Sequence, residues 1–164
     1  MVSLQALLMY MNEQKLIPKD KFDLVTTEDS IWKRTDERSV AAMKASAGEV
    51  YTVYNQYLKR YTACQVAYIA PPDTVSKESW AVVLSLDWVG DAPLTAEELP
   101  HLRPLYKDFM YWPRNLHLLR VPLEVPPQYK LVGTLPPFTD QPCRSYGGWS
   151  DGYDVYLQIR WQAI

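Results

Sequence analysis

The chain has little of what catalytic and metal-binding motifs require. Its 2 cysteines, Cys64 and Cys143, are too few for a disulfide framework or a zinc site, though they could form one bridge. Its 2 histidines, His101 and His117, show neither His-x-x-x-His nor His-Glu-x-x-His spacing. No Lys/Arg run exceeds 2 residues and the net charge is −2, which argues against a wide electrostatic grip on DNA backbone and leaves only local contacts by a few arginines. No stretch approaches the roughly 18 apolar residues of a membrane span. Met1 to Leu16 lacks the basic start and small-residue cleavage site of a secretory signal. Reduced thiols in a cytoplasmic setting are therefore expected. Nucleophile-elbow and dinucleotide-binding glycine patterns are missing too.

What is present divides the chain into two regimes. Of 13 prolines, 12 lie beyond residue 70, as do 5 of 6 tryptophans. With 164 residues, 48% hydrophobic and 22% charged, the chain fits a single folded domain that needs no covalent staples. Leu4, Leu7, Leu8 and Met11 predict a first amphipathic helix capped by Ser3 and stopped before Pro18. Lys19 to Lys33 reads as a charged connection. Residues 36–61 read as one long helix. Val40, Met43, Ala47, Val50, Tyr54, Tyr57 and Tyr61 recur at steps of three and four, one apolar seam at about 100° per residue. Ala41, Ala45, Gly48 and Thr52 form a small-residue stripe on another face, a surface for a neighbouring subunit.

Beyond residue 63 the period changes to two. Trp80, Val82, Leu84, Leu86 and Trp88 alternate with Ala81, Val83, Ser85, Asp87 and Val89, predicting a strand with one buried face. Tyr153, Val155, Leu157, Ile159 and Trp161 alternate in the same way and predict a last strand. Residues 64–70 are a further candidate strand, ended by Pro71-Pro72; residues 116–121 and 129–135 are two more, confined by the prolines between them to edges or arms. Thr95 and Glu98 match a capping box, and Pro104 suits the first turn of a helix to Tyr111. The expected class is α+β: helices over residues 1–63, then a mostly antiparallel β region over 64–164. Residues 113–142 are expected as an extended arm or as ordinary surface loops.

Candidate chemistry is sparse. Gly147 to Gly152 is glycine-rich, but lacks the lysine and hydroxyl of a phosphate loop and reads as a turn. Cys143 with His101 or His117 is a formal nucleophile–base pair without a motif around it. Glu97 and Glu98 read as a helix cap. Tyr106, Phe109, Tyr111 and Trp112 cluster beside Arg103, Lys107 and Arg114, either a stacking platform for nucleic acid, or aromatic core, or the aromatic and arginine centre of a protein interface. No catalytic residue, cofactor or metal ligand is expected.

Leu7-Leu8-Met9-Tyr10-Met11, the acidic Thr26-Thr27-Glu28-Asp29, Ala45-Ser46-Ala47-Gly48-Glu49-Val50 and Tyr57-Leu58-Lys59-Arg60-Tyr61 together resemble tailed-phage head–tail connector proteins of the Mu-like type, over residues 1–63. The resemblance implies a structural virion subunit with no catalytic site. Such a subunit is made in the host cytoplasm and forms a ring, most often twelvefold, below the portal. It would contact itself, the portal and tail or neck proteins, with DNA only as passing cargo and no membrane. Its subunit-interface candidates are Ala41, Ala45, Gly48, Thr52, Trp112, Arg114 and Trp161. The alternative is a small soluble binding protein, such as a bacterial immunity protein; an enzyme with an unrecognised site around Cys143 or the aromatic cluster is the third class.

Overall fold

A computed structural model describes residues 42–149 and 152–164. The expected first helix, the charged connection and the start of the long helix lie outside the described residues. The expected α+β class is corrected: the described residues form a mostly antiparallel sheet with one short helix. Five strands are arranged β6-β3-β2-β1-β7, with β1 Glu49–Asn55, β2 Arg60–Ala70, β3 Trp80–Gly90, β6 Leu118–Pro122 and β7 Lys130–Thr134. Two short strands, β4 Tyr106–Lys107 and β5 Asn115–Leu116, form a separate hairpin. Helix α1 covers Gly152–Gln162.

The long helix over 36–61 is overturned by the β1–β2 hairpin, which pairs Val50 with Gln65 through to Asn55 with Arg60. Local chemistry explains the change. Val50-Tyr51-Thr52-Val53-Tyr54 is a run of β-branched and aromatic residues, which suit a pleated surface and lose side-chain freedom in a helix. Asn55 Oδ1 accepts from the backbone N–H groups of Tyr57 and Leu58, folding the chain into a turn. Lys59 completes the turn at φ 56°. Before β1, Gly48 sits at φ +90°, where a Cβ would stand 2.7 Å from Leu135 O. The seam and stripe thus dissolve: Ala45, Thr52 and Val50 are buried inside the fold, whereas Tyr54 and Tyr57 are half-exposed.

One buried face is expected of β3; the sheet buries both. On one side Val50, Val82, Leu84, Leu86 and Leu118 pack under Leu94, Leu102 and Cys143. On the other, Tyr51, Cys64, Val66, Ala81 and Val121 pack under Ala45, Val125, Tyr129 and Trp149. Ala81 to Leu84 is apolar at every position, so alternation within it carries no information about a wet face. The covering layers are mainly irregular chain. Ala45 N–H donates to Leu123 O and Val125 N–H to Met43 O. Gln65, fully sealed in β2, donates to Leu135 O and Pro136 O and accepts from Phe138 N–H. The edge of β6 is covered as well, since Arg120 N–H donates to Ser145 O and Gly147 N–H to Arg120 O.

Two further expectations change. Residues 153–161 are helix, not strand: Val155 and Gln158, three apart, are its buried positions, and Asp154 and Arg160 stand at the dipole ends that favour them. The helix from Pro104 to Tyr111 is replaced by β4, because Arg103 to Leu105 pair antiparallel along the edge of β3. Asp87 N–H donates to Arg103 O, and Leu105 N–H to Ser85 O. Residues 113–142 contain β5, β6 and β7. The capping box forms as read, with Thr95 and Glu98 opening a 3-10 turn over Ala96–His101.

Gly48 tests the turn directly. Gly48→Leu should lower the unfolding free energy of the isolated protein by about 1–3 kcal/mol, read from urea denaturation. A Gly48→Leu variant as stable as the wild type would be inconsistent with the φ +90° turn.

Candidate functional site

The β4–β5 hairpin presents the aromatic cluster that the sequence singles out. Tyr106 pairs with Leu116 and Lys107 with Asn115, and the loop between them is fixed from below by α1. Gln158 Oε1 accepts from Asp108 N–H at 2.7 Å and Phe109 N–H at 3.1 Å, while its Nε2 donates to Asp108 Oδ1 at 2.7 Å. Phe109 turns inward and is buried. Met110 adopts φ 59° and reverses the chain, leaving Tyr111 86% and Trp112 48% exposed at the tip.

Two of the cluster's three cations, Lys107 and Arg114, are held in place. Lys107 Nζ lies 4.2 Å from the Trp112 ring centroid and 3.6 Å from Asp154 Oδ2. Arg114 stacks 4.5 Å over Tyr106 and sits 3.6 Å from Asp108 Oδ2. With carboxylates beside both, the patch has no surplus charge of the size a phosphate-tracking groove needs. Arg103, Tyr106, Arg114 and Gln162 share a surface depression with Asp87, which brings the end of α1 beside the hairpin. Trp161 is 44% exposed on that helix.

Beneath α1 lies a polar array that the sequence did not suggest. Ser85 Oγ and His117 Nδ1 share a hydrogen bond of 2.7 Å, and His117 Nε2 stands 3.6 Å from Asp154 Oδ2. Serine, histidine and aspartate in a row are the parts of a nucleophile–base system. Here, however, Ser85 is buried in the sheet with its amide N–H donating to His117 O at 3.1 Å. The adjoining cavity, about 50 Å³ and lined by Cys64, Ser85, His117 and Trp149, has the size for water and not for an acyl substrate. The array ties α1 to the sheet.

The remaining candidates separate. Ala45, Gly48 and Thr52 are interior; Trp112, Arg114 and Trp161 are exposed; Ala41 lies outside the described residues. Cys143 packs on one side of the sheet, whereas His117 adjoins the cavity under the other, and His101 is exposed at the end of the 3-10 turn. These three residues do not assemble into a thiol–imidazole pair. Both cysteines are free and buried. Burial pushes the Cys64 thiol up to about 12, so it stays protonated and unreactive. Among the described residues no group of three or more His, Cys, Asp and Glu side chains gathers to hold a metal ion. Comparison with known protein families, curated proteins and solved structures finds no match.

Two expectations follow. Gln158→Ala should cost roughly 1–3 kcal/mol and speed amide exchange at Asp108 and Phe109, observable by hydrogen-exchange mass spectrometry. The alkaline limb is set by Cys64 and Tyr51, whose pKa values are both raised in the fold, chiefly by burial and for Tyr51 also by its hydrogen bond to Glu49. A raised value means stability that is complete below the unfolded value and lost as pH climbs through the folded one. The melting temperature should therefore fall as pH rises from about 9 towards about 12; a flat profile across that window would contradict the buried thiol.

Proposed function

We propose that this protein is a non-catalytic assembly subunit that docks through the β4–β5 hairpin and the adjacent end of α1. The observation that carries this reading is the solvent-exposed Tyr111–Trp112 tip on a loop whose backbone is fixed by Gln158. Large aromatic side chains beside stacked arginine are the residue types that dominate binding energy at interface centres. Pre-ordering the loop lowers the entropy lost on docking. The small size of the cavity that Ser85 and His117 line supports a binding role over hydrolysis.

Within that class, the ring-forming neck subunit of a tailed phage is one form and a one-to-one binding protein is the other. Of the residues behind the connector resemblance, Ala45 to Val50 and Tyr57 to Tyr61 form a turn and parts of a β-hairpin, so this region does not supply the connector helix. The ring reading rests on the docking surface: heterologous ring closure needs two different patches per subunit, and the hairpin tip is one of them.

Light scattering after size exclusion tests the reading. The wild-type protein should form a defined higher-order species, and Tyr111→Ser with Trp112→Ser should leave a monomer with unchanged melting temperature. A wild type that stays monomeric at every concentration, alone and with purified portal protein, would remove the ring form.

A further inference from the structure

Apart from the charged hairpin, the fold carries a groove without charge. Its volume is about 340 Å³, and no lysine, arginine, aspartate or glutamate is among the described residues that line it. Tyr54 and Tyr57, both half-exposed, supply aromatic surface beside the buried Tyr129, and the exposed Gln56 and Gln128 supply amides beside the buried Asn55. Its size lies at the lower end for small-ligand sites.

Each of the three rings is braced by another aromatic ring. Tyr54 meets Tyr61 edge-on at 5.3 Å, Tyr57 meets Tyr153 at 5.2 Å, and Tyr129 meets Trp149 at 5.0 Å. The wall is also tied at its base: Asn55 Nδ2 donates to Gly152 O at 2.9 Å while its Oδ1 holds the hairpin turn. The rings are thus set before any ligand arrives, which limits the ordering cost of binding.

We infer that this groove is a binding site for a neutral saccharide. A sugar ring has an apolar face of C–H groups with slight positive charge, which fits the negative face of a tyrosine ring. Its hydroxyls both donate and accept, as do the amides of Gln56 and Gln128 at the exposed rim. An anionic ligand would find no cation among the described lining residues, and a nucleic acid strand would find stacking without a partner there for its phosphates. A polyproline peptide would use the rings but needs fixed donors for its carbonyls; Asn55 Nδ2, the donor that the turn holds in place, already serves Gly152 O. The inference does not depend on the docking role of the hairpin.

The test is calorimetric titration of the full chain with neutral oligosaccharides of glucose, mannose, xylose and N-acetylglucosamine. A sulfated oligosaccharide and a proline-rich peptide are titrated alongside. At least one neutral oligosaccharide should bind, and Tyr57→Ala and, separately, Gln128→Ala should each weaken it by about tenfold or more. Both changes are at exposed side chains, so an unchanged melting temperature confirms folding, and Tyr111→Ser should leave binding intact. Overturning results are no neutral sugar bound at millimolar concentration, binding only of the sulfated sugar or the peptide, or sugar binding indifferent to Tyr57 and Gln128.

Discussion

Gln65 is sealed from water in the middle of β2, yet its amide serves three backbone groups of residues 135–138. Those residues include Pro136 and Pro137, which have no N–H to offer a strand ladder. Gln158 does the same work for the β4–β5 loop, and Asn55 for the β1–β2 turn and Gly152. Thr52 adds a fourth case, accepting from Leu94 N–H and donating to Thr62 O. A buried backbone group without a partner costs about 1–3 kcal/mol. The proline-broken segments can therefore cover the sheet only because side-chain amides and a hydroxyl meet their polar groups. This constraint shapes the whole sheet and its covers. A sheet apolar on both faces needs two lids, and the chain builds them largely from loops pinned at single polar residues.

That mode of construction explains what could be read from the sequence. β3 was legible because its alternation is long and ends at Gly90, and the Thr95–Glu98 capping box was legible because it is wholly local. The candidate strands at 64–70, 116–121 and 129–135 were legible within a few residues for the same reason. The segment 36–61 misled because alanines at 41, 42, 45 and 47 favour helix, whereas Ala45 is placed by a bond to Leu123 far away in sequence. The last segment misled because Tyr153 to Trp161 satisfies a period of two on paper. Its actual anchor is Gln158, polar at the most buried turn of a helix, which a hydropathy pattern scores against burial.

The site was legible in composition but not in geometry. Tyr106, Tyr111, Trp112, Lys107 and Arg114 were visible as a cluster, and the cations do meet the rings of Trp112 and Tyr106 in space. Asp108 stood in the sequence as a break in the positive charge, but the pairing of Lys107 with Asp154 was not visible, because Asp154 arrives from a helix whose side chains also fit a period of two. The Ser85–His117–Asp154 array was hidden for the same reason. A lone glutamine within the apolar run Ala63-Cys64-Gln65-Val66-Ala67 was the one local sign of the buried amide network, since such a residue must be hydrogen-bonded if the run is sealed.

The two exposed aromatic surfaces differ in a way that follows from how each is held. At the hairpin, the Gln158 amide orders the loop backbone, while Trp112 and Tyr106 lie against cations that are themselves ion-paired, contacts whose strength falls as salt rises. At the tyrosine groove, ordering comes from ring against ring and from an amide in the turn, with no ion among the described lining residues. A surface braced by ions suits a partner able to exclude water and strengthen those pairs, which means a large protein face. A surface braced by neutral groups keeps its shape at any ionic strength and suits a small hydroxylated ligand that leaves much of the site wet. The proposed docking tip and the inferred sugar groove are thus braced by different physics, and α1 underlies both: Gln158 fixes the hairpin loop, and Tyr153 braces the groove.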